Sequence, residues 1–201
     1  MAQTITEWRG VEGLVFAEVL EDSAEAYTTG EVKTLAGVAE ISRTTEASSE
    51  AHYYDNVPAV IVNSTGSDEV TCTVSAIPLD VLAEITGQQY DEATGTYIEG
   101  ERETKYYALG YITKKINGDL VYVWRYKGTF GIPDSTHTTE NDGTDANGDE
   151  VTFTGVSTNH VFTKTGKRAK AINVDVAQGK ADVTGFFDSV TTPDTLKAIT
   201  Y

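Results

Sequence analysis

Two β-rich arms flank Asn117 and Gly118 in the stretch 105–130, KYYALGYITKKINGDLVYVWRYKGTF, and they leave little choice of fold class. Asn-Gly suits a type I′ turn, because both central residues of that turn need positive φ and its twist matches that of the flanking strands. The second arm alternates between an apolar face and a face that turns polar along its length. The apolar face holds Leu120, Tyr122, Trp124 and Tyr126, and the other face holds Val121, Val123, Arg125 and Lys127. Since a lone two-stranded hairpin is marginal in water, we predict that this hairpin is central to a larger sheet.

The rest of the chain favours a mainly β fold with one short helix. Thr is abundant and helix-favouring runs are scarce, which is typical of β proteins. Strands are predicted for residues 11–20, 32–41, 68–77, 151–156, 159–164 and 170–176, with Thr165 and Gly166 turning a second hairpin. The best helix covers residues 78–87, with Pro in its first turn and Gly87 as its stop. A further short helix is predicted for residues 182–190.

Two polar stretches interrupt this pattern. Residues 42–56 are rich in Ser, Thr and Glu and are interpreted as either a long loop or an extended hairpin. Residues 134–150 carry Ser, Thr, Asn, Asp and Gly with no apolar anchor beyond Ala146, which predicts a mobile acidic surface loop. Neither stretch has enough apolar surface to offset the entropy lost on ordering.

The length of 201 residues predicts a single domain over residues 1–201, with residues 177–201 as a C-terminal arm. No apolar stretch approaches the length needed to span a bilayer. The first residues, MAQTITEWRG, lack the basic and then apolar pattern of a Sec-type signal peptide. The one cysteine, Cys72, lies in a strand-like run, so we interpret it as a small buried residue rather than a reactive thiol.

The net charge of −16 is distributed unevenly along the chain. Residues 1–100 hold three basic groups against eighteen acidic ones, and residues 101–201 hold twelve against thirteen. This asymmetry argues against a general phosphate-binding surface, which needs exposed Lys and Arg. It suits a protein that nucleic acid passes without binding, although from charge alone simple solubility is the favoured explanation.

No residue pattern predicts a catalytic, cofactor-binding or metal-ligating site, so we expect no enzyme. Asp80 and Glu84 have helical i, i+4 spacing but no catalytic partner, which indicates a solvated helix face. The acidic residues of the 134–150 stretch do not have the spacing of a calcium loop, because the twelfth position counted from Asp142 is Phe153. The histidines are dispersed, with no two at ligand spacing: His52, His137 and His160.

The one basic cluster comprises Lys164, Lys167, Arg168 and Lys170. Three interpretations stay open for it. It is a solvated turn, a contact for an acidic patch on a neighbouring copy, or a contact for nucleic-acid phosphate.

Several short motifs occur in order between residues 11 and 133. They are YTTG at 27–30, LAGVAEI at 35–41, YDN at 54–56, VSAIPLDVLAEITG at 74–87, YALGY at 107–111 and YVWRYKG at 122–128. Each motif is unspecific alone. Their order and spacing resemble the phi13-type major tail proteins of long-tailed phages that infect Gram-positive bacteria.

This resemblance implies a tail-tube fold, a β-sandwich or barrel flanked by one short helix. It implies a structural virion protein whose copies form hexameric rings, which stack into the conduit for DNA ejection. The implied partners are further copies of the chain and the tail terminator, distal tail and tape-measure proteins. Double-stranded DNA would pass through the lumen without specific binding, and no membrane or cofactor is implied. The protein would be made in the host bacterial cytoplasm and reside in the virion tail.

Two expectations follow for such a tube. Residues 42–56 and 134–150 would be assembly loops, disordered in the free subunit and ordered in the tube. The bore would be net negative and lined partly by acidic side chains of the first hundred residues, with the basic cluster at 164–170 facing a partner subunit or the outside.

Two alternatives remain at this point. A tube protein of a phage-derived injection particle or secretion system would share the fold and differ in what passes through. A carbohydrate-binding β-sandwich module would use the tyrosines and Trp124 of the hairpin as a sugar platform.

Overall fold

The computed structural model describes residues 5–139 and 147–199. As predicted, the fold is mainly β with one short α-helix, α1 (Leu79–Thr86), and a 3-10 helix at Val176–Gln178. The strands β1 to β12 are, in chain order, Trp8–Asp22, Tyr27–Thr29, Lys33–Thr34, Val38–Tyr54, Val57–Val74, Gln89–Asp91, Thr96–Ile98, Tyr107–Lys115, Leu120–Phe130, Asp134–Ser135, Asp149–Val156 and Ala171–Asp175.

One large antiparallel sheet organises these strands. Its order is β2-β1-β8-β9-β11-β5-β4, with β3 added to β1, β12 to β9 and β10 to β11. The strands β6 and β7 form a small separate hairpin. The sheet is open, with β4 at one edge and the short β2 at the other, and this arrangement is consistent with the predicted β-sandwich.

The hairpin around Asn117 and Gly118 occupies the centre of the sheet, as predicted. Its strands β8 and β9 pair directly, for example at Ile112 with Tyr122. Gly118 has a φ of 93°, which glycine adopts without steric cost, but Asn117 does not have a positive φ. The predicted type I′ turn is therefore wrong: the N–H of Gly118 donates to the carbonyl of Lys115 at 2.9 Å, so Asn117 lies inside a β-turn that Gly118 ends. The pairing of the two strands was predicted correctly, and the turn type was not.

Both faces of β9 are buried, which differs from the sequence-based expectation of one polar face. Val121 and Val123 belong to a first core, together with Phe16, Val70, Cys72, Phe130 and Phe153. Trp124 and Tyr126 belong to a second core on the opposite face, together with Ala17, Phe162, Phe186 and Val190. The residue that suggested a solvated face, Arg125, is only 4% exposed. The central strand is therefore a shared wall between two apolar layers.

The helix α1 closes the first core. It buries Ala83 and Ile85, while Leu79, predicted on the same side, is exposed because it lies in the first turn. Gly87 ends the helix with a φ of 66°, and its N–H donates to the carbonyl of Glu84 at 3.2 Å. The predicted stop is therefore confirmed, in the left-handed conformation typical of helix C-termini.

Replacing Gly87 with alanine is expected to destabilise the fold by about 1–3 kcal/mol, because the left-handed φ is strained for alanine. The added Cβ would also meet the backbone of Glu103. Gly100→Ala is the matched control, since nothing lies within 4 Å of its Cβ position. Denaturant unfolding of both variants checks this, and equal midpoints would contradict it.

Two predicted elements of the C-terminal third are wrong. Residues 159–164 form no strand but only an isolated bridge between Phe162 and Lys167, which encloses the predicted turn at Thr165 and Gly166. Residues 182–190 form successive turns rather than a helix. We attribute the absence of this helix to tertiary packing, because the turns bury Phe186 and Val190 in the second core.

The two polar stretches and the C-terminal segment are more ordered than the sequence indicated. Residues 42–56 lie in the long β4–β5 hairpin, so the extended-hairpin interpretation holds and the loop interpretation does not. The ends of the 134–150 stretch pair as β10 and β11, while residues 140–146 lie outside the described residues. Within 177–201, the described part packs on the second core, and residues 200–201 are not described.

Candidate interaction surfaces

The outer half of the β4–β5 hairpin, residues 46–66, projects from the body and is called the arm. Every residue of the arm is exposed, on both faces of the hairpin. Its eight paired residues on each strand give it a length of about 25 Å. Asp55 and Asn56 form the tip, with φ values of 51° and 64° that suit a type I′ turn. The exposure of the arm shows that the rest of the described chain does not pack against it. Since isolated two-stranded hairpins are marginal in water, the arm would gain stability from a packing partner.

The arm carries the densest group of exposed apolar side chains in the described residues. They are Tyr53, Tyr54, Val57, Val60, Ile61 and Val62. Contiguous exposed apolar surface of this kind marks an interaction site in a soluble protein. The arm is therefore a candidate docking element for another chain.

The strand that carries the arm is also the edge of the sheet. β4 pairs with β5 on one side, and no described strand pairs with its other side. The first residues of β1, from Trp8 to Gly13, likewise have no strand on the side away from β8. Unpaired N–H and C=O groups along an edge form a template for pairing with another chain. Both edges are therefore available to a neighbour.

A cleft of about 540 Å³ separates these two edges and is called the β1–β4 cleft. Its walls come from the start of β1 and of β4, and its floor from β8, β9 and the start of β12. The apolar lining includes Trp8, Val11, Ile41, Tyr111 and Val123. Three arginines share the cleft with them, Arg9, Arg43 and Arg125.

A buried ion cluster lies at the base of the cleft. The Arg125 guanidinium donates to the Asp68 carboxylate at 2.6 Å, and both side chains are almost fully buried. Lys170 lies 3.4 Å and Arg43 4.0 Å from the same carboxylate. Burial alone would raise the pKa of Asp68, but a hydrogen bond from Thr45 and the charges of Arg125 and Lys170 hold it below its usual value. The cluster thus fixes a charged pair between two sheet strands.

The predicted basic cluster does not form one surface patch. Lys170 turns inward to Asp68 and to the carbonyl of Gly66. Lys164 donates from its Nζ to the carbonyl of Leu196 at 3.1 Å. Two of the four basic side chains are therefore used within the subunit, and Lys167 and Arg168 stay exposed.

The remaining sites considered from sequence are separated in space. Across the part of the chain that the structure describes, no cluster of His, Cys, Asp or Glu could hold a metal ion. No helix in residues 5–139 and 147–199 is long and apolar enough to span a membrane. Cys72 is buried, which raises the pKa of its thiol to about 12. Glu84 of the helix forms an ion pair with Lys33 at 2.8 Å, and this pairing agrees with the interpretation of Asp80 and Glu84 as residues of a solvated helix face.

Sequence reasoning missed the pairing of Asp68 with Arg125. The two residues stand 57 positions apart, and only the folded sheet brings them together. A signal was present in the sequence, because Arg125 interrupts an otherwise apolar strand and a buried arginine requires a carboxylate partner.

Comparison with known proteins agrees with this architecture. No curated protein matches the chain. The family described as phage tail tube protein matches residues 27–183, which include the arm, the central hairpin and the buried ion cluster. The narrower phi13 type stays a prediction. Since the match covers most of the chain, the protein belongs to the phage tail tube family and is a structural protein of the virion tail.

Proposed function

We propose that copies of this chain form hexameric rings that stack into the conduit for DNA ejection. Membership of the tail tube family supports self-assembly into a tube. The main observation in favour of ring stacking is the arm, which exposes apolar side chains on a hairpin with no packing partner within the described subunit. On this proposal the open edges of β1 and β4 pair within a ring, and the arm contacts another ring.

This division of roles follows from geometry. Strand edges give directional hydrogen bonds to a neighbour beside the subunit, which suits ring closure. The arm reaches about 25 Å beyond the body, which suits contact along the tube axis. Its ordering entropy would be offset only when the apolar residues of the arm are buried by a second copy.

Removal of the arm is expected to abolish tube formation without unfolding the body. Replacing residues 49–63 with Asn-Gly closes the hairpin at the paired Ser48 and Ser64. We expect an unchanged melting temperature and no tubes by electron microscopy, where the intact chain forms them. In the intact chain, hydrogen exchange of the arm should slow on assembly. Tubes from the shortened chain, or equal exchange in both states, would contradict this role.

We also propose that the bore is net negative. The charge of the first hundred residues motivates this, because fixed positive charge would bind DNA phosphates and slow transit. A structure of the tube tests it by the charged side chains of the inner wall. More Lys and Arg than Asp and Glu on that wall would refute the claim.

Two other roles have weaker support. A tube of an injection particle or secretion system shares the fold, and only the identity of the passing cargo separates it from a virion tail. The carbohydrate-binding alternative loses most of its motive, because Trp124, Tyr107, Tyr111 and Tyr126 are buried in the two cores, and of the aromatic residues that suggested it Tyr106 is exposed. Synthesis in the host cytoplasm and contacts with the tail terminator, distal tail and tape-measure proteins belong to the same proposal.

A further inference from the structure

The β1–β4 cleft concentrates positive charge in the most acidic half of the chain. Residues 1–100 hold three basic groups, and two of them, Arg9 and Arg43, line this one cleft. Arg125 adds a third guanidinium, against the two carboxylates of Glu40 and Asp68. The cleft therefore has a positive excess on a chain whose net charge is −16.

The buried end of the cleft is also incompletely paired. Asp68 is the one carboxylate that Arg125, Lys170 and Arg43 share. The Nε of Arg125 is buried and has no hydrogen-bond partner among the described residues. Leaving a buried charged donor without an acceptor is unfavourable, so a further carboxylate in the cleft would balance the charge.

The shape and lining of the cleft indicate that the ligand carries aromatic side chains beside that carboxylate. Trp8, Val11, Ile41 and Tyr111 provide apolar walls beside the arginines. A volume of about 540 Å³ accommodates several side-chain groups at once. The matching ligand is therefore a segment that presents aromatic rings next to an acidic group.

The tip of the arm has this composition. Tyr53 and Tyr54 are exposed and are followed directly by Asp55 in the turn. Within one chain the tip cannot reach the cleft, because Arg43 and Tyr54 lie on one extended strand, about 36 Å apart. A tip that binds such a cleft therefore has to come from another copy.

We propose that the β1–β4 cleft binds the arm tip of a second copy of this chain, with Asp55 against the arginines and the tyrosines against the apolar walls. This inference rests on the proposed self-assembly and names the two surfaces that meet. Since the surfaces differ, the contact is heterologous and repeats from copy to copy, as a tube requires.

Disulfide cross-linking between two variants, each with one added cysteine, tests the contact. Glu40→Cys places a thiol in the cleft wall, and Val57→Cys places one beside the tip, without removing Asp55 or an arginine. Cys72 does not interfere, because it is buried. We expect a mixture of the two variants to cross-link on assembly, whereas Glu92→Cys, on an exposed turn elsewhere, should not cross-link with Val57→Cys.

An exchange of charges between the two surfaces provides a second test. Arg9→Glu, which changes an exposed arginine of the cleft outside the Asp68 cluster, and Asp55→Lys should each raise the critical concentration for assembly by about tenfold or more, with an unchanged melting temperature. Combining both changes in one chain should return it towards the wild-type value. Failure of this rescue would overturn the proposal.

The remaining outcomes separate this inference from the proposed function. Tubes that form without the cross-link would refute the cleft contact and leave self-assembly standing. A wild-type chain that forms no rings or tubes would remove both. Binding of a short DNA duplex that is lost in Arg9→Glu would assign the cleft to phosphate and overturn the proposal.

Discussion

Replacing Trp124 with alanine is expected to lower the free energy of unfolding by about 3–5 kcal/mol. Trp124 is 0% exposed in the second core, and its indole N–H donates to the carbonyl of Phe186 at 3.0 Å. The substitution therefore leaves a cavity and removes one of the two hydrogen bonds that the Phe186 carbonyl accepts, the other coming from the Thr191 hydroxyl at 2.9 Å. For a chain of this length the melting temperature should fall by about 6–20 °C.

The other tryptophan provides the control. Trp8 is 64% exposed, so Trp8→Ala should change the free energy of unfolding by less than about 0.5 kcal/mol. The burial of Trp124 within one subunit also excludes a position at a subunit seam. A Trp124→Ala subunit that kept its melting temperature and lost only assembly would contradict the structure.

Replacing Asp68 with asparagine is expected to cost about 3–5 kcal/mol, because it leaves Arg125 charged and buried without its partner. The double variant Asp68→Leu with Arg125→Met should cost less than Asp68→Asn alone, since it removes both charges together. Chemical denaturation of the two variants measures this difference. Lys33→Gln, which breaks the more exposed pair with Glu84, should cost less than about 1 kcal/mol.

The same pair predicts a dependence of stability on pH. The pKa of Asp68 is lower in the folded than in the unfolded chain, so its contribution is complete above the unfolded value of about 4. It is lost as the pH falls through the folded pKa. The wild type should therefore lose stability below about pH 4, and Asp68→Asn should lose less over that range. Parallel curves for the two proteins would contradict this assignment.

The parts of the fold that local chemistry determines were predictable from the sequence. The hairpin at Asn117 and Gly118 and the helix stop at Gly87 depend on backbone conformations that few residues adopt. The segment 182–190, where the predicted helix does not form, is held instead by a hydrogen bond from the indole of Trp124 to the carbonyl of Phe186, 62 residues away. Segments without a strong local preference take their conformation from such distant contacts.

The interaction surfaces were harder to predict for a related reason. Residues 42–52, which lead into the arm, are polar by composition, and the β4–β5 register that makes the arm a hairpin depends on pairing over its whole length. The β1–β4 cleft joins residues from the two ends of the sheet, so no spacing in the sequence reveals it. Composition did reveal the charge asymmetry, but only the fold brings Arg9 and Arg43 to one place.

The exposure of the arm has a consequence for calorimetry. Its 21 residues are all exposed in the free subunit, so they add less to the heat capacity of unfolding than residues of the core do. The free subunit should therefore show a heat-capacity change below the value that its length predicts, by up to about 0.3 kcal/mol/K. Burial of the same residues between copies would return this amount as a negative heat-capacity change of assembly. Assembly would then weaken on cooling, as burial of apolar surface does.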